Sequence, residues 1–423
     1  MSTPPQTDVE QVPEPEVEPA PLLTLRDGLP HVVDTPEALA ASIAALAAGT
    51  GPVAIDAERA SGYRYSARAY LIQLRRTGSG THLIDPIPFD DLTELNEALG
   101  DAEWILHAAT QDLVCLRDAG LRPQKLFDTE HAARLLGYPR VGLATLVESI
   151  LGFGMRKEHS AADWSQRPLP ESWLEYAALD VEVLIELREH LAAELVDTGK
   201  AEWARQEFLN LMGFEPAVRA EPWRRTSGIH RLRKPRVLAA VRELWLARDD
   251  IARTEDVTPG RIIPDSAIVA AAQANPRNRG ALLATAGFQG RGARRFSERW
   301  IEALEIARTL PDADLPAVSQ RSDGPPQPRS WADRDPAAAA RLSAARASFA
   351  ALSEATNVPL ENLLTPDSMR RVLWQPPTAR GDDLLPAVQT ALSELGARPW
   401  QIELTAPLLV EAILTPAEVT DVG

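Results

Sequence analysis

The chain has 423 residues, 45% of them hydrophobic and 25% charged, which is ordinary for a protein of two or three globular domains with proper cores. Its formal net charge is −16, and its single cysteine, Cys115, excludes an intramolecular disulfide framework and a cysteine-based zinc cluster. No apolar run approaches the ~20 residues of a membrane helix, and no secretory pattern stands at the N-terminus, so a cytoplasmic protein without membrane contact is expected.

Residues 1–22 hold six prolines and five acids with no lysine or arginine, a composition expected to form a disordered acidic tail. Thr35-Pro36 opens a helix, with Thr35 as N-cap and Pro36 at the first helical position, and Gly49 closes it. Val53-Ala54-Ile55-Asp56-Ala57-Glu58 then reads as a strand, followed by Ala69-Tyr70-Leu71-Ile72-Gln73-Leu74 and by Thr81 to Asp85, stopped by Pro86. These three form a meander. Strand side chains alternate faces, so Asp56 and Glu58 emerge on one side, ~7 Å apart. Such a pair is either a solvated strand end or a place for a divalent cation, since hard cations take carboxylate oxygens.

A helix over Leu92 to Leu99 and a short strand over Trp104 to Ala108 precede a helix beginning at Gln111. Asp112 lies in its first turn, where an acid serves either as a cap or in a site at the carboxyl end of a strand. His107 and His159 are expected to be structural, and Cys115 a core residue. Trp173 to Ile185 reads as one helix with Leu174, Ala178, Val181 and Ile185 at core spacing. Tyr176 and Asp180, four apart, share a face of it.

In this order, Asp56-Ala57-Glu58, Asp112 after His107-Ala108, and Tyr176 with Asp180 resemble the three motifs of the ribonuclease D family, in the four-acid 3′-5′ exonuclease superfamily with a tyrosine in the third motif. Lys157, Ser160, Asp163-Trp164 and Arg167-Pro168-Leu169 resemble the segment before the third motif. Ala57 stands where the family often has a small hydroxyl residue; its side chain is expected to face away from the metals. The resemblance covers roughly residues 30–200 and implies an α/β ribonuclease H-like exonuclease domain. It implies two divalent ions, Mg²⁺ or Mn²⁺. Asp56 would bridge them, Glu58 and Asp180 would complete the ion that activates water, Asp112 would support the second, and Tyr176 would orient the water. The products would be nucleoside 5′-monophosphates from RNA 3′ ends, as in tRNA-type 3′-end processing. Single-stranded DNA as substrate and an inactive nucleic-acid-binding scaffold are the alternatives, and no obligate protein partner is evident. A Gly-x-Ser-x-Gly elbow, a His-Glu-x-x-His helix and a phosphate-binding glycine loop are all lacking.

Residues 215–300 carry 17 Lys and Arg against 9 Asp and Glu, although the whole chain is acidic. A basic helical domain over 215–310 is therefore expected to bind nucleic-acid phosphates. Its densest cluster is Arg224, Arg225, Arg231, Arg233, Lys234 and Arg236, and Lys157 is a further candidate contact. This region resembles the helical domain that helicases and ribonuclease D share. Residues 311–336 read as a linker and 337–416 as a second helical domain. The second would be a diverged repeat pairing Leu342 with Leu238, Arg346 with Arg242 and Phe349 with Trp245. The expected architecture is thus the α/β domain followed by two small all-helical domains.

Overall fold

The computed structural model describes residues 19–156, 161–319 and 324–415. Residues 1–18 of the acidic stretch, and Lys157, His159 and Ser160, lie outside the described residues. Leu22, at the end of the stretch expected as a disordered tail, is paired with Gly154 in a parallel bridge.

The first part of the chain builds a six-stranded mixed sheet. Its elements are β1 (Val32–Val33), α1 (Pro36–Ala48), β2 (Thr50–Arg59), β3 (Ala69–Thr77), β4 (Gly80–Ile84), α2 (Thr93–Leu99), β5 (Glu103–Leu106), α3 (Leu113–Asp118), β6 (Lys125–Asp128), α4 (Thr129–Leu136), α5 (Leu143–Leu146), α6 (Glu171–Glu182), α7 (Leu184–Asp197) and α8 (Ala201–Met212). The strand order is β1-β4-β3-β2-β5-β6. β2, β3 and β4 pair antiparallel, as the meander requires, and β5 and β6 extend the sheet in parallel beyond β2. The Thr35 side chain caps α1 by accepting from the Ala38 amide. The helix expected over 173–185 is broken at Val183 (φ −122°, ψ 8°) into α6 and α7. The break lets the two halves serve different layers: Leu174 and Ala178 pack with Trp164 and Leu71, whereas Val181 and Ile185 join the main core.

Two helical units follow. The first holds α9 (Pro235–Glu255), α10 (Pro259–Ile262), α11 (Asp265–Ala274), α12 (Arg279–Ala284), α13 (Arg291–Arg295) and α14 (Ser297–Thr309) around its own core of Leu244, Ile268, Phe288 and Trp300. The second holds α15 (Trp331–Arg334), α16 (Pro336–Thr356), α17 (Leu360–Leu363), α18 (Pro366–Trp374), α19 (Leu384–Glu394) and α20 (Pro399–Leu414). Trp331, in the stretch expected as linker, is fully buried in the second unit's core.

The two units do echo each other, but in a different register. α9 and α16 each run 21 residues, start on proline, and end at a left-handed residue, Asp256 and Asn357. Matching these ends pairs Leu342 with Val241, Ala345 with Leu244 and Phe349 with Arg248, all buried. The pairing of Phe349 with Trp245 is therefore corrected by one helical turn: similar letters at i and i+3 or i+4 lie on the same face and are easily exchanged.

The loop from β2 to β3 is gripped by the first unit. Asp256 accepts from the amides of Tyr65 (3.2 Å) and Ser66 (3.1 Å), and the Tyr65 hydroxyl donates to Asp249 (3.0 Å). The Thr258 amide donates to the Tyr63 carbonyl (3.0 Å), and the Arg261 guanidinium lies 4.0 Å from the Tyr63 ring centre. The second unit instead packs on α4 and α8: Trp400 stacks on Trp203 at 4.8 Å and donates to Glu207 (2.8 Å), which also accepts from Arg398 (2.7 Å).

Candidate active site

The β2 strand presents Asp56 and Glu58 on one face, while Ala57 between them points into the main core at 5% exposure. The β2–β3 register shifts between Glu58 and Arg59. The extra residue of this shift is Tyr70 on β3, and on β2 Arg59 reaches Asp112, with Nη2 3.3 Å from Oδ1. Across the pair from Asp56 sits Gln73, fully buried, its amide without a partner among the described residues.

Asp112 is placed by the end of β5. The chain turns through left-handed Ala108 (φ 60°) into a short 3₁₀ turn, Ala109–Gln111, and α3 begins immediately after Asp112. Asp128, at the end of β6, holds this turn by accepting from the amides of Ala108 (3.2 Å) and Ala109 (2.7 Å). Asp112 makes no side-chain capping bond, so its carboxylate is free of the role that an acid in a first turn ordinarily fills.

α6 brings Tyr176 and Asp180 over the sheet. One carboxylate oxygen from each of Asp56, Glu58 and Asp180 lies within 4.8 Å of the other two, whereas Asp112 is outside that trio and pairs with Arg59. Trp164 is fully buried and its ring lies 5.4 Å from that of Trp173 on α6, so the Asp163-Trp164 segment props the helix. Arg167 is absorbed in the same support: it pairs with both oxygens of Asp85 and donates to the Tyr70 and Trp164 carbonyls.

Burial raises the proton affinity of all four acids. Glu58 is pushed up to about 10, by desolvation first and then by the charges of Asp56, Asp180 and Asp112, with Arg59 opposing. Asp112 and Asp180 are raised well above the carboxylate range by burial and by Asp56, and Asp56 is raised by burial. Three buried carboxylates and the half-buried Asp56, with the Arg59 guanidinium beside them, are short of positive charge. Hard oxygen donors in such a set suit a hard divalent cation. The Tyr176 phenol is raised above its ordinary value by burial, then by the charges of Asp180, Glu58 and Asp56, and it is hydrogen-bonded to Asp180. It can donate a hydrogen bond there but cannot act as a base near neutral pH.

Other sequence-derived candidates take different places. His107 Nδ1 bonds the Thr129 hydroxyl (2.9 Å) and Cys115 is buried, both within the fold's framework. Arg225, Arg231, Arg233 and Lys234 are exposed and carry no ion pair among the described residues. Arg224 pairs with Glu221 (2.7 Å) and covers the Trp223 ring, and Arg236 is spent on the end of α14, bonding the Ala307, Arg308 and Leu310 carbonyls and Asp312. Both arginines therefore already have acceptors within this chain. Arg59 and Asp128 were not visible as site residues in the sequence. Arg59 directly follows the Asp-x-Glu pair, but its partner Asp112 comes from a separate element that the spacing does not reveal.

This geometry is that of a metal-dependent nuclease, and comparison with known proteins agrees. The family described as 3′-5′ exonuclease matches residues 30–196, an HRDC domain matches 237–304, and a 3′ to 5′ exonuclease C-terminal domain matches 324–413. Ribonuclease D of Jannaschia sp. is 31% identical over 310 residues, covering 70% of this chain and 78% of that one. Ribonuclease D of Granulibacter bethesdensis is 31% identical, covering 76% and 80%. Among solved structures, a protein from Bifidobacterium adolescentis is 37% identical with a TM-score of 0.85, covering 94% of this chain and all of that one. Escherichia coli RNase D, described as an exoribonuclease involved in structured RNA processing, is 27% identical with a TM-score of 0.67, covering 91% and 98%. The chain belongs to the ribonuclease D family. It is a 3′-5′ exoribonuclease whose family depends on divalent metal. Among the described residues, no helix is long and apolar enough to cross a membrane.

Proposed function

We propose that Asp56, Glu58, Asp112 and Asp180 hold two divalent ions, Mg²⁺ or Mn²⁺, at which RNA is shortened from its 3′ end with release of nucleoside 5′-monophosphates. The observation that carries this reading is the convergence of Asp56, Glu58 and Asp180 oxygens within 4.8 Å, from elements more than a hundred residues apart in the chain. When bound, a metal pair supplies Lewis acidity at both the attacking and the leaving oxygen.

The chain's own groups do the rest. Asp56, Glu58 and Asp180 offer their oxygens on the open side of the sheet, and Asp112 offers its own from the end of β5. The Tyr176 hydroxyl, hydrogen-bonded to Asp180, orients the attacking water. Ala57 and the core behind it keep the β2 carboxylates on a rigid strand, which limits their freedom to spread apart under mutual repulsion. The exposed Arg225, Arg231, Arg233 and Lys234 meet the phosphates of the RNA body. Processing of tRNA-type 3′ ends accords with what is stated for the Escherichia coli relative, an exoribonuclease involved in structured RNA processing.

The test is hydrolysis of 5′-labelled RNA and DNA of one sequence, in Mg²⁺ or in chelator. The expected result is a ladder shortening from the 3′ end of RNA in Mg²⁺ alone. Equal or faster shortening of the DNA would move the substrate to single-stranded DNA, and cleavage undiminished by chelator would overturn the metal centre.

A further inference from the structure

We propose that Arg59 is the phosphate-binding residue of the site: its guanidinium rests on Asp112 in the free protein and takes an oxygen of the scissile phosphate when an RNA 3′ end enters. The inference rests on the metal-centre reading above and extends it to a residue outside the four acids and the tyrosine.

Position is the first argument. Arg59 follows Glu58 on β2, directly after the paired acids, and its Nη2 lies 3.3 Å from the Asp112 carboxylate. The side chain is 28% exposed, so it spans from the buried acids toward solvent, the direction from which a strand end arrives.

Hydrogen bonding is the second. A guanidinium carries five N–H donors in a planar fork, the arrangement that matches phosphate oxygens. Of these, Nη2 has Asp112, but Nε is buried and has no acceptor among the described residues. Buried donors are rarely left without a partner. A phosphate oxygen is an acceptor that a substrate would supply.

Charge is the third. Four ionised acids and two divalent cations cancel, leaving the Arg59 guanidinium as the net charge of the loaded site. One positive charge matches the single negative charge of a phosphodiester. A cation at Asp112 would also repel the guanidinium from its resting partner, so metal entry and the move toward phosphate favour each other.

The competing role is a tether that only fixes Asp112. The two differ in what a bound phosphate contributes. Calorimetric titration of the full chain in Mg²⁺ with adenosine 5′-monophosphate, and separately with adenosine, measures that contribution as a ratio of Kd values. For Arg59→Gln the monophosphate affinity should fall about 10- to 100-fold, as expected for one charge-assisted contact, with adenosine affinity unchanged. Arg59→Lys, which keeps the charge without the fork, should recover part of the loss. A ratio unchanged in folded Arg59→Gln would overturn the proposal; if that variant fails to fold, an unchanged ratio in Arg59→Lys would do so. Chelator separates the underlying reading: monophosphate affinity of the parent protein indifferent to chelator would sink the metal centre, while the ratio in the variants still decides Arg59.

Discussion

The two helical units share a plan but are joined to the catalytic sheet in opposite ways. The second is continuous with it: Val358, Leu363 and Trp400 belong to the same buried cluster as β2, β5 and α4. Asn357 bonds the Leu136 carbonyl (2.9 Å) and sits so close to Gly137 (φ +81°) that a Cβ there would lie 2.4 Å from it. The first unit has a core of its own and touches the sheet through polar contacts to the β2–β3 loop. One unit is thus part of the catalytic domain's stability, and the other is a module placed against the loop that follows the acids. Basic charge lies on the module, where it can be brought to a substrate without disturbing the core.

Breaking the apolar junction should have the largest effect. Trp400→Ala removes a nearly fully buried ring and a partner of Glu207, and about 3–5 kcal/mol of stability should go with it. Chemical denaturation should show the catalytic domain losing stability together with the second unit; an unchanged catalytic transition would contradict the shared core. For the same reason, removing residues 215–423 would strip three residues from the main core, so substrate binding by the basic module is better tested by substitution.

Changing Arg225, Arg231, Arg233 and Lys234 together to glutamine should lower RNA affinity and flatten its salt dependence by roughly 0.7 in slope per lost phosphate contact. Salt-titrated binding to an Asp180→Asn background reads this directly, and an unaltered slope would remove the module from RNA binding. Arg224→Gln should change the slope much less, since its guanidinium is already held by Glu221 and the Ala317 carbonyl.

At the polar junction, Tyr65→Phe deletes the bond to Asp249 and should cost about 0.5–1.5 kcal/mol. Its effect should appear as a slightly lower midpoint for the first unit's unfolding, with that of the sheet little changed.

Much of the site was legible because it depends on short periods. Alternation along β2 put Asp56 and Glu58 on one face, and i,i+4 spacing put Tyr176 beside Asp180. Neither rule needs knowledge of tertiary contacts. Arg59 was hidden because its role depends on an ion pair with Asp112, a tertiary contact between β2 and the end of β5 that no local period reports. Asp128 was hidden because Lys125–Asp128 is a four-residue buried strand with no polar alternation to mark it. The basic cluster was half legible: Arg236 and Arg231 look alike in sequence, but one closes the end of α14 across more than seventy residues and the other faces solvent.

The response to pH distinguishes the site from both junctions. Without metal, burial and the neighbouring carboxylates push the Glu58 carboxyl up from 4.5 to about 10. An acid whose folded-state pKa is raised contributes its stability below the unfolded value and loses it as pH climbs through the folded one. The Tm in chelator should therefore decline as pH rises from about 4.5 to about 10, and saturating Mg²⁺ should flatten that decline.

The central claim, that acids from β2, α3 and α6 make one metal-dependent exonuclease centre, is tested most directly by single-turnover hydrolysis of 5′-labelled RNA with Asp180→Asn beside the parent protein in Mg²⁺. Asp180 is a buried acid at the pocket rather than an apolar core contact, so the variant should keep its fold and its RNA affinity. Its rate should fall by at least about 1,000-fold, on the order of 4 kcal/mol of lost transition-state stabilisation. A folded Asp180→Asn that still shortens RNA at a rate near the parent's would contradict the account.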